Sequence, residues 1–442
     1  MPTNCLVESK IELRNPKQDP KSSDGKFSWY HYYAGYSPEF VKDALNHLDL
    51  PRNSTILDPW NGSGTTTQIA REMGFSVFGY DINPVMVIVA KSKMLDHDAK
   101  DALIGHLNSI LNTARIYGAE LFFEEEPLEI WLRLESATTF RNIERSIQKH
   151  LIGLEEYKVL YNQKSLEDVS CVAAFFYVGL FRALRRSLNK FLTSNPTWIK
   201  TPTTKNDGVS LLSEHIYDLF GQEIHHMMNT LSPLPGNAET FPGNTKFQID
   251  RGSSDSIPLT DGCVDAVISS PPYCTRIDYA VATKPELALL GCSMERGIRE
   301  LRDQMIGTPT ISRTIPDIKF EWGQTCRNFL SAVIAHESKA SKSYYLKYYL
   351  QYFGSIYRSL IEIDRTLIES GRCILVVQDS HYKDIHNDLP KMFLEMGGSL
   401  GWDPLDNFNF TTKRTMAGLN QRAKKYRRNT KTTESVLVFQ KI

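Results

Sequence analysis

Val264-Asp265-Ala266-Val267-Ile268-Ser269-Ser270-Pro271-Pro272-Tyr273 is the stretch whose reading decides the fold. Its branched apolar residues predict a short strand buried in a parallel sheet, and the paired prolines, which donate no backbone hydrogen bond, end it. In open α/β sheets, ligands bind at the carboxyl ends of the strands. This end carries a hydroxyl, two carbonyls fixed by proline rings and an aromatic ring. Such a set suits a flat, amino-bearing ligand such as a nucleobase. Taken alone, the stretch reads equally well as a strand followed by a Pro-Pro turn that happens to end in tyrosine.

A second strand end shifts that balance. Ile56-Leu57-Asp58-Pro59-Trp60-Asn61-Gly62-Ser63-Gly64-Thr65-Thr66-Thr67 is an apolar strand, a glycine turn and a helix start. Glycine lets backbone approach a ligand, and a helix start offers free N–H groups. A phosphate-cradling P-loop would end in Gly-Lys-Ser/Thr, but no lysine follows Gly64, and a dinucleotide fingerprint would want a third glycine where Thr67 stands. The next strand, Ser76-Val77-Phe78-Gly79-Tyr80-Asp81, ends in an acid that can accept hydrogen bonds from both ribose hydroxyls of an adenosine. A helix cap is the competing role for this aspartate. The arrangement also suits NAD, so it identifies an adenosine cofactor and not the reaction that cofactor serves.

With both stretches present, the chain resembles the S-adenosylmethionine-dependent DNA amino-methyltransferases, which modify N4 of cytosine or N6 of adenine. The form Asp-Pro-aromatic-x-Gly-Ser-Gly-Thr fits at every position from Asp58 to Thr65. The resemblance implies an α/β fold: a doubly wound, Rossmann-like methyltransferase sheet with a large helical insertion. It implies S-adenosylmethionine as cofactor, bound by Asp58, Pro59, Gly62, Ser63, Gly64, Thr65 and Asp81. Asp255, after the third strand that begins Phe247-Gln248-Ile249, would receive the adenine amino group. Tyr33, in the segment His31 to Ser37, would help to hold the methionine end, with packing against the core as the alternative for these aromatics.

Ser270, Pro271, Pro272 and Tyr273 are the catalytic residues implied. An exocyclic amine is a poor nucleophile because its lone pair is delocalised into the ring. Acceptors at Ser270 Oγ and the Pro271 carbonyl, aimed at its two protons, localise that lone pair for attack on the sulfonium methyl. Tyr273 would stack on a base flipped from the duplex. No metal is required. Serine at the first position is seen more with cytosine N4, and aspartate or asparagine more with adenine N6. Cys274 does not follow proline directly, as the nucleophile of cytosine C5 enzymes does.

At 442 residues the chain exceeds one ordinary core. Expected are a flexible N-terminal segment at 1–26, a catalytic domain at 27–96 and 241–442, and a helical insertion at 97–240 as the candidate DNA-binding or target-recognition region. The insertion shows stripes such as Leu103, Leu107, Ile110 and Ala114, and Phe140, Ile143 and Ile147. After Ala280 little is assignable until a helix at 341–370, a fifth strand at 371–379 and a last one at 434–440.

Net charge is zero but segregated. Arg182 to Lys205 and Thr411 to Thr433 hold basic residues and no acid. DNA contacts are therefore expected from Arg182, Arg185, Arg186, Lys190, Trp198, Lys200 and Arg276, and from Arg422, Lys424, Lys425, Arg427 and Arg428, with solvated surface as the bland alternative. Seven dispersed cysteines without a Cys-x-x-Cys pair, and no apolar signal region in Met1 to Asp24, suggest reduced thiols in a cytoplasmic protein. The expected partner is double-stranded DNA with a flipped base and no membrane. The resemblance also allows a cognate restriction endonuclease or defence-system partner. RNA base methylation and non-catalytic nucleic-acid binding are the rival readings.

Overall fold

A computed structural model of the chain describes residues 13–17, 25–32, 35–120, 122–162, 166–193, 195, 198–231, 245–275, 277–312, 314–412 and 432–442. Helix α1 (Pro38–Leu48) starts where Ser37 Oγ accepts from the Phe40 N–H at 3.1 Å, with Pro38 in the first turn, and it buries Phe40, Val41, Ala44, Leu45 and Leu48. Then come β1 (Thr55–Asp58), α2 (Thr65–Glu72), β2 (Ser76–Asp81) and α3 (Pro84–Lys93). Four long helices follow before the sheet resumes: α4 (Lys100–Ile116), α5 (Leu134–Ile147), α6 (Cys171–Ser187) and α7 (Ser213–Asn229). The remaining strands are β3 (Phe247–Arg251), β4 (Val264–Ser269), β5 (Leu367–Gln378), the small hairpin β6 (Ser380–Tyr382) and β7 (Ile385–Asn387), β8 (Trp402–Thr412) and β9 (Thr432–Lys441).

The central sheet has seven strands in the order β3-β2-β1-β4-β5-β9-β8. Among the described strands of this sheet, β9 alone runs against the direction of the other six. Both faces are covered, which is why β4 is apolar on both sides from Ala266 to Ile268. On one face Ala266 and Ile268 pack with Phe40, Leu45 and Ile69 of α1 and α2. On the other, Val267 packs with the helices Gly323–Ala335, Leu346–Thr366 and Leu389–Ser399. This is the doubly wound, Rossmann-like α/β sheet expected.

Helices α4 to α7 do not form a core of their own. One apolar cluster runs from Val85 and Ile88 of α3 through Leu107, Phe140, Phe176 and Phe220 to Leu287 and Leu289. Arg141, almost fully buried, adds polar stitching: it pairs with Glu126 at 2.6 Å and with Glu144, and donates to the Ala288 and Leu289 carbonyls. The insertion is thereby fixed to the chain that follows the Pro-Pro turn.

The structure differs in detail from the expected element boundaries. The long helix ends at Thr366, and β5 begins at Leu367, not Gly371. Pairing jumps from Val264↔Leu367 to Ala266↔Arg372, and Ser370 adopts φ 62°, so the residues between bulge out of a strand already begun. Strand β8 was not anticipated, because it is an edge strand, interrupted at Pro404, whose alternate residues face solvent. Within the expected flexible N-terminus, Leu13 is buried and Arg14 pairs with Asp43 at 2.6 Å. Among the described residues, no helix is long and apolar enough to cross a membrane.

Candidate active site

Strand ends β1, β2 and β4 meet at one edge of the sheet. Asp58, 2% exposed, closes β1. Its Oδ1 accepts from Ser269 Oγ at 2.5 Å and from the Trp60 N–H at 3.2 Å, while the Tyr36 hydroxyl lies 3.4 Å from Oδ2. Burial pushes this carboxyl up to about 6. Tyr36 also bonds Thr66 Oγ1, which donates to the Ile268 carbonyl at 3.2 Å. The glycine turn and the Ser-Pro-Pro-Tyr strand are thus joined through side chains from three elements.

Gly62 and Gly64 serve different ends. Gly62 has φ 47°, and a Cβ there would lie 3.1 Å from the Tyr32 ring. Gly64 has φ 79°, and its Cβ would come within 2.7 Å of Ala90 Cβ, so it permits the close approach of α2 to α3. Ser63 and Thr65 are buried, both beside Gly35, and Pro59 turns the chain between them and Asp58. Asp81 accepts from the Gly62 N–H at 2.9 Å and from the Asn83 N–H at 2.8 Å, and burial raises its carboxyl to about 6. One bond to each oxygen leaves acceptor capacity for a ribose diol. The cap of α3 is Asn83, whose Oδ1 accepts from the Val85 N–H at 3.1 Å. Asp255 lies beyond β3, accepting from Ser253 Oγ at 2.5 Å and facing Arg358 at 3.4 Å. Asn61 Nδ2 is buried in the turn without a partner among the described residues. Acceptor at Asp81, spare donor at Asn61 and glycine backbone between them form a donor set that fits an adenosine-bearing cofactor.

Ser270 donates its hydroxyl proton to the Val376 carbonyl of β5 at 3.0 Å. Its oxygen lone pairs therefore remain for an incoming N–H. Pro271 is buried, and among the described residues no hydrogen bond reaches its carbonyl. The Pro272 carbonyl accepts from Tyr352 at 2.8 Å, and Tyr273 donates to Glu434 of β9 at 2.5 Å. Burial and the Glu434 carboxylate push the Tyr273 phenol well above its usual range. Asn83 Nδ2 donates to Thr283 Oγ1 at 2.9 Å, linking the end of β2 to the segment past the Pro-Pro turn. The sequence pointed to the segment His31 to Ser37 and to a helix at 341–370 but gave no individual role to Tyr36, Tyr352, Asn83 or Glu434; for Glu434 it held no signal.

The expected DNA-contact residues divide. Arg182 pairs with Glu223 at 2.6 Å and donates to the Ser28 and Trp29 carbonyls. Arg185 grips Glu286, whose side chain is fully buried, and the Ala282 carbonyl. Arg186, 48% exposed, pairs with Glu223 at 2.7 Å. Lys190 donates to the Asp207 carbonyl at 2.8 Å, while Trp198 and Lys200 are exposed on a loop. Tyr33, Arg276, Arg422, Lys424, Lys425, Arg427 and Arg428 lie outside the described residues.

No family model matches the chain. The type II methyltransferase M.BsoBI of Geobacillus stearothermophilus is 25% identical over 298 residues, covering 63% of this chain and 55% of its own length. M.AvaI, a type II methyltransferase of Nostoc, is 21% identical over 315 residues, 69% of this chain and 62% of its own. The chain is thus similar in sequence to type II methyltransferases over about two thirds of its length. A third relative, the type II methyltransferase M.MjaII of Methanocaldococcus jannaschii, is 30% identical over 120 residues, 26% of this chain and 22% of its own. The chain spans 55% and 62% of the lengths of the first two methyltransferases. The solved YcgJ protein of Bacillus subtilis aligns with 91% of this chain and 97% of its own at 9% identity and a TM-score of 0.30, so the fold assignment rests on strand order.

Proposed function

We propose that the protein is a site-specific DNA methyltransferase that transfers a methyl group from S-adenosylmethionine to N4 of cytosine in duplex DNA. The observation that carries this reading is the 2.5 Å bond from Ser269 to Asp58, which holds the glycine turn and the Ser-Pro-Pro-Tyr turn side by side. Its similarity to type II methyltransferases supports methyl transfer; a restriction-modification setting with a cognate endonuclease is part of the proposal.

Asp58, Pro59, Gly62, Ser63, Gly64, Thr65 and Asp81 would hold the cofactor, with Asp255 toward its adenine and Tyr33 toward its methionine end. When bound, S-adenosylmethionine supplies an electrophilic methyl group. Ser270 Oγ, its own proton committed to Val376, would accept a hydrogen bond from one N–H of the extruded base's amine, and the Pro271 carbonyl would accept one from the other. Pro272 is braced by Tyr352, and Tyr273, braced by Glu434, offers its ring to the base. Serine at position 270 favours cytosine over adenine. Arg186, Lys190, Trp198 and Lys200, together with Arg276, Arg422, Lys424, Lys425, Arg427 and Arg428, contact DNA; Arg182 and Arg185 act indirectly, by holding α6 in place.

The test is transfer of labelled methyl to mixed-sequence duplex DNA, then nucleoside digestion and mass spectrometry. N4-methylcytosine is expected. N6-methyladenine would correct the base, and methylation of RNA alone would overturn the DNA assignment. Ser270→Ala should lower turnover at least a hundredfold, on the order of a lost transition-state hydrogen bond, with cofactor affinity nearly unchanged. Undiminished turnover would remove Ser270 from the amine.

A further inference from the structure

A cleft of ≈ 900 Å³ opens between the Lys284–Leu289 helix, the Arg296–Gln304 helix and residues 310–312. It adjoins the Ser-Pro-Pro-Tyr turn. Arg302 on its wall pairs with Asp278 at 2.7 Å, five residues past Tyr273, and Gly307 lies so close to the Tyr273 carbonyl that a Cβ there would come within 3.2 Å. Arg302 and the chain through Gly307 therefore link the cleft wall to the segment around Tyr273.

Its lining mixes charge signs. Lys284 and Arg299 are donors, Glu295 and Asp303 are acceptors, and Thr310 and Ile311 add a hydroxyl and an apolar surface. Arg299 stands one helical turn from both Glu295 and Asp303, the spacing at which Arg296 does pair with Glu300 at 2.8 Å. Yet among the described residues neither Arg299 nor Lys284 makes an ion pair, and Arg302 Nε is buried without a partner. Burial holds the Lys284 ammonium below its usual range. A phosphate-tracking groove would be uniformly basic. Unpaired donors and acceptors beside an apolar patch instead match base edges, where arginine meets guanine, a carboxylate meets the cytosine amine and an apolar side chain meets the thymine methyl.

We infer that this cleft is the target-recognition surface, with Arg299 and Asp303 reading the edges of base pairs next to the flipped base. The inference rests on the DNA methyltransferase reading above. The Arg296–Gln304 helix buries Gly297, Ile298 and Leu301 and turns Arg299 and Asp303 outward. Sequence specificity would therefore come from the chain between β4 and β5, whereas α6 and its loop supply contacts to the backbone.

The experiment maps methylated sites in mixed-sequence duplex DNA for the wild type, Arg299→Ala and Asp303→Ala, and measures rates on the wild-type site and its single-base-pair variants. Cofactor affinity and the salt dependence of DNA binding are followed in parallel. Each substitution should relax one position of the recognition sequence, lowering discrimination there on the order of tenfold to a hundredfold, with cofactor affinity and salt slope unchanged. Unaltered discrimination in both variants would overturn the inference. So would a salt slope reduced by about one with discrimination intact, since that marks a phosphate contact. Wild-type protein that binds cofactor yet methylates no DNA would instead sink the underlying reading, and the cleft's role with it.

Discussion

Asp58 and Asp81 are two buried carboxyls at neighbouring strand ends, each raised from 3.8 to about 6 by desolvation. Between those values the folded chain holds protons that the unfolded chain releases. The stability these groups contribute is therefore complete below about pH 4 and is lost as pH rises through about 6. Cofactor binding runs the other way, because only ionised Asp81 can accept from both hydroxyls of a ribose. S-adenosylmethionine affinity, measured by calorimetry between about pH 5 and 8, should fall below about pH 6. Asp81→Asn should weaken it at all pH values and flatten the profile to whatever share Asp58 carries. A profile that Asp81→Asn leaves unchanged would remove Asp81 from the ribose.

Helix α6 shows how residues that read as a basic stripe can be engaged within the fold. Its arginines form a basic stripe in sequence, but Arg185 reaches across to fully buried Glu286 on the Lys284–Leu289 helix. Arg185→Ala would leave that carboxylate buried and unpaired, at a cost of about 3 kcal/mol. Thermal unfolding should show the loss directly, while the salt slope of DNA binding stays near the wild-type value. A reduced slope with unchanged stability would return Arg185 to the DNA interface. Strands β4 and β2 were legible because burial on both faces and a turn at the carboxyl end leave marks in sequence. Edge strand β8 and the start of β5 were not, since their limits are set by pairing partners far along the chain.

Across the whole molecule, the apolar cluster that joins α3 to α4–α7 and to Leu287 predicts that the insertion and the cofactor half unfold together. Far-ultraviolet dichroism and tryptophan fluorescence, to which Trp29 and Trp131 of this cluster contribute beside Trp322 and Trp402 on the other face of the sheet, should give coincident transitions. Two separated transitions would make the insertion an independent domain. By itself the sequence determined the sheet class, the glycine turn, the strand-end acid and the Pro-Pro turn. Each of these is written in local chemistry: glycine where backbone must approach, proline where a strand must stop, apolar runs where both faces are covered. Only the tertiary structure decided that Ser269 bonds Asp58, that Ser270 gives its proton to Val376, that Glu434 fixes Tyr273 and that Arg185 belongs to Glu286. Those pairings join residues roughly 100 to 210 positions apart, and no local pattern specifies which polar group a folded chain will set opposite another.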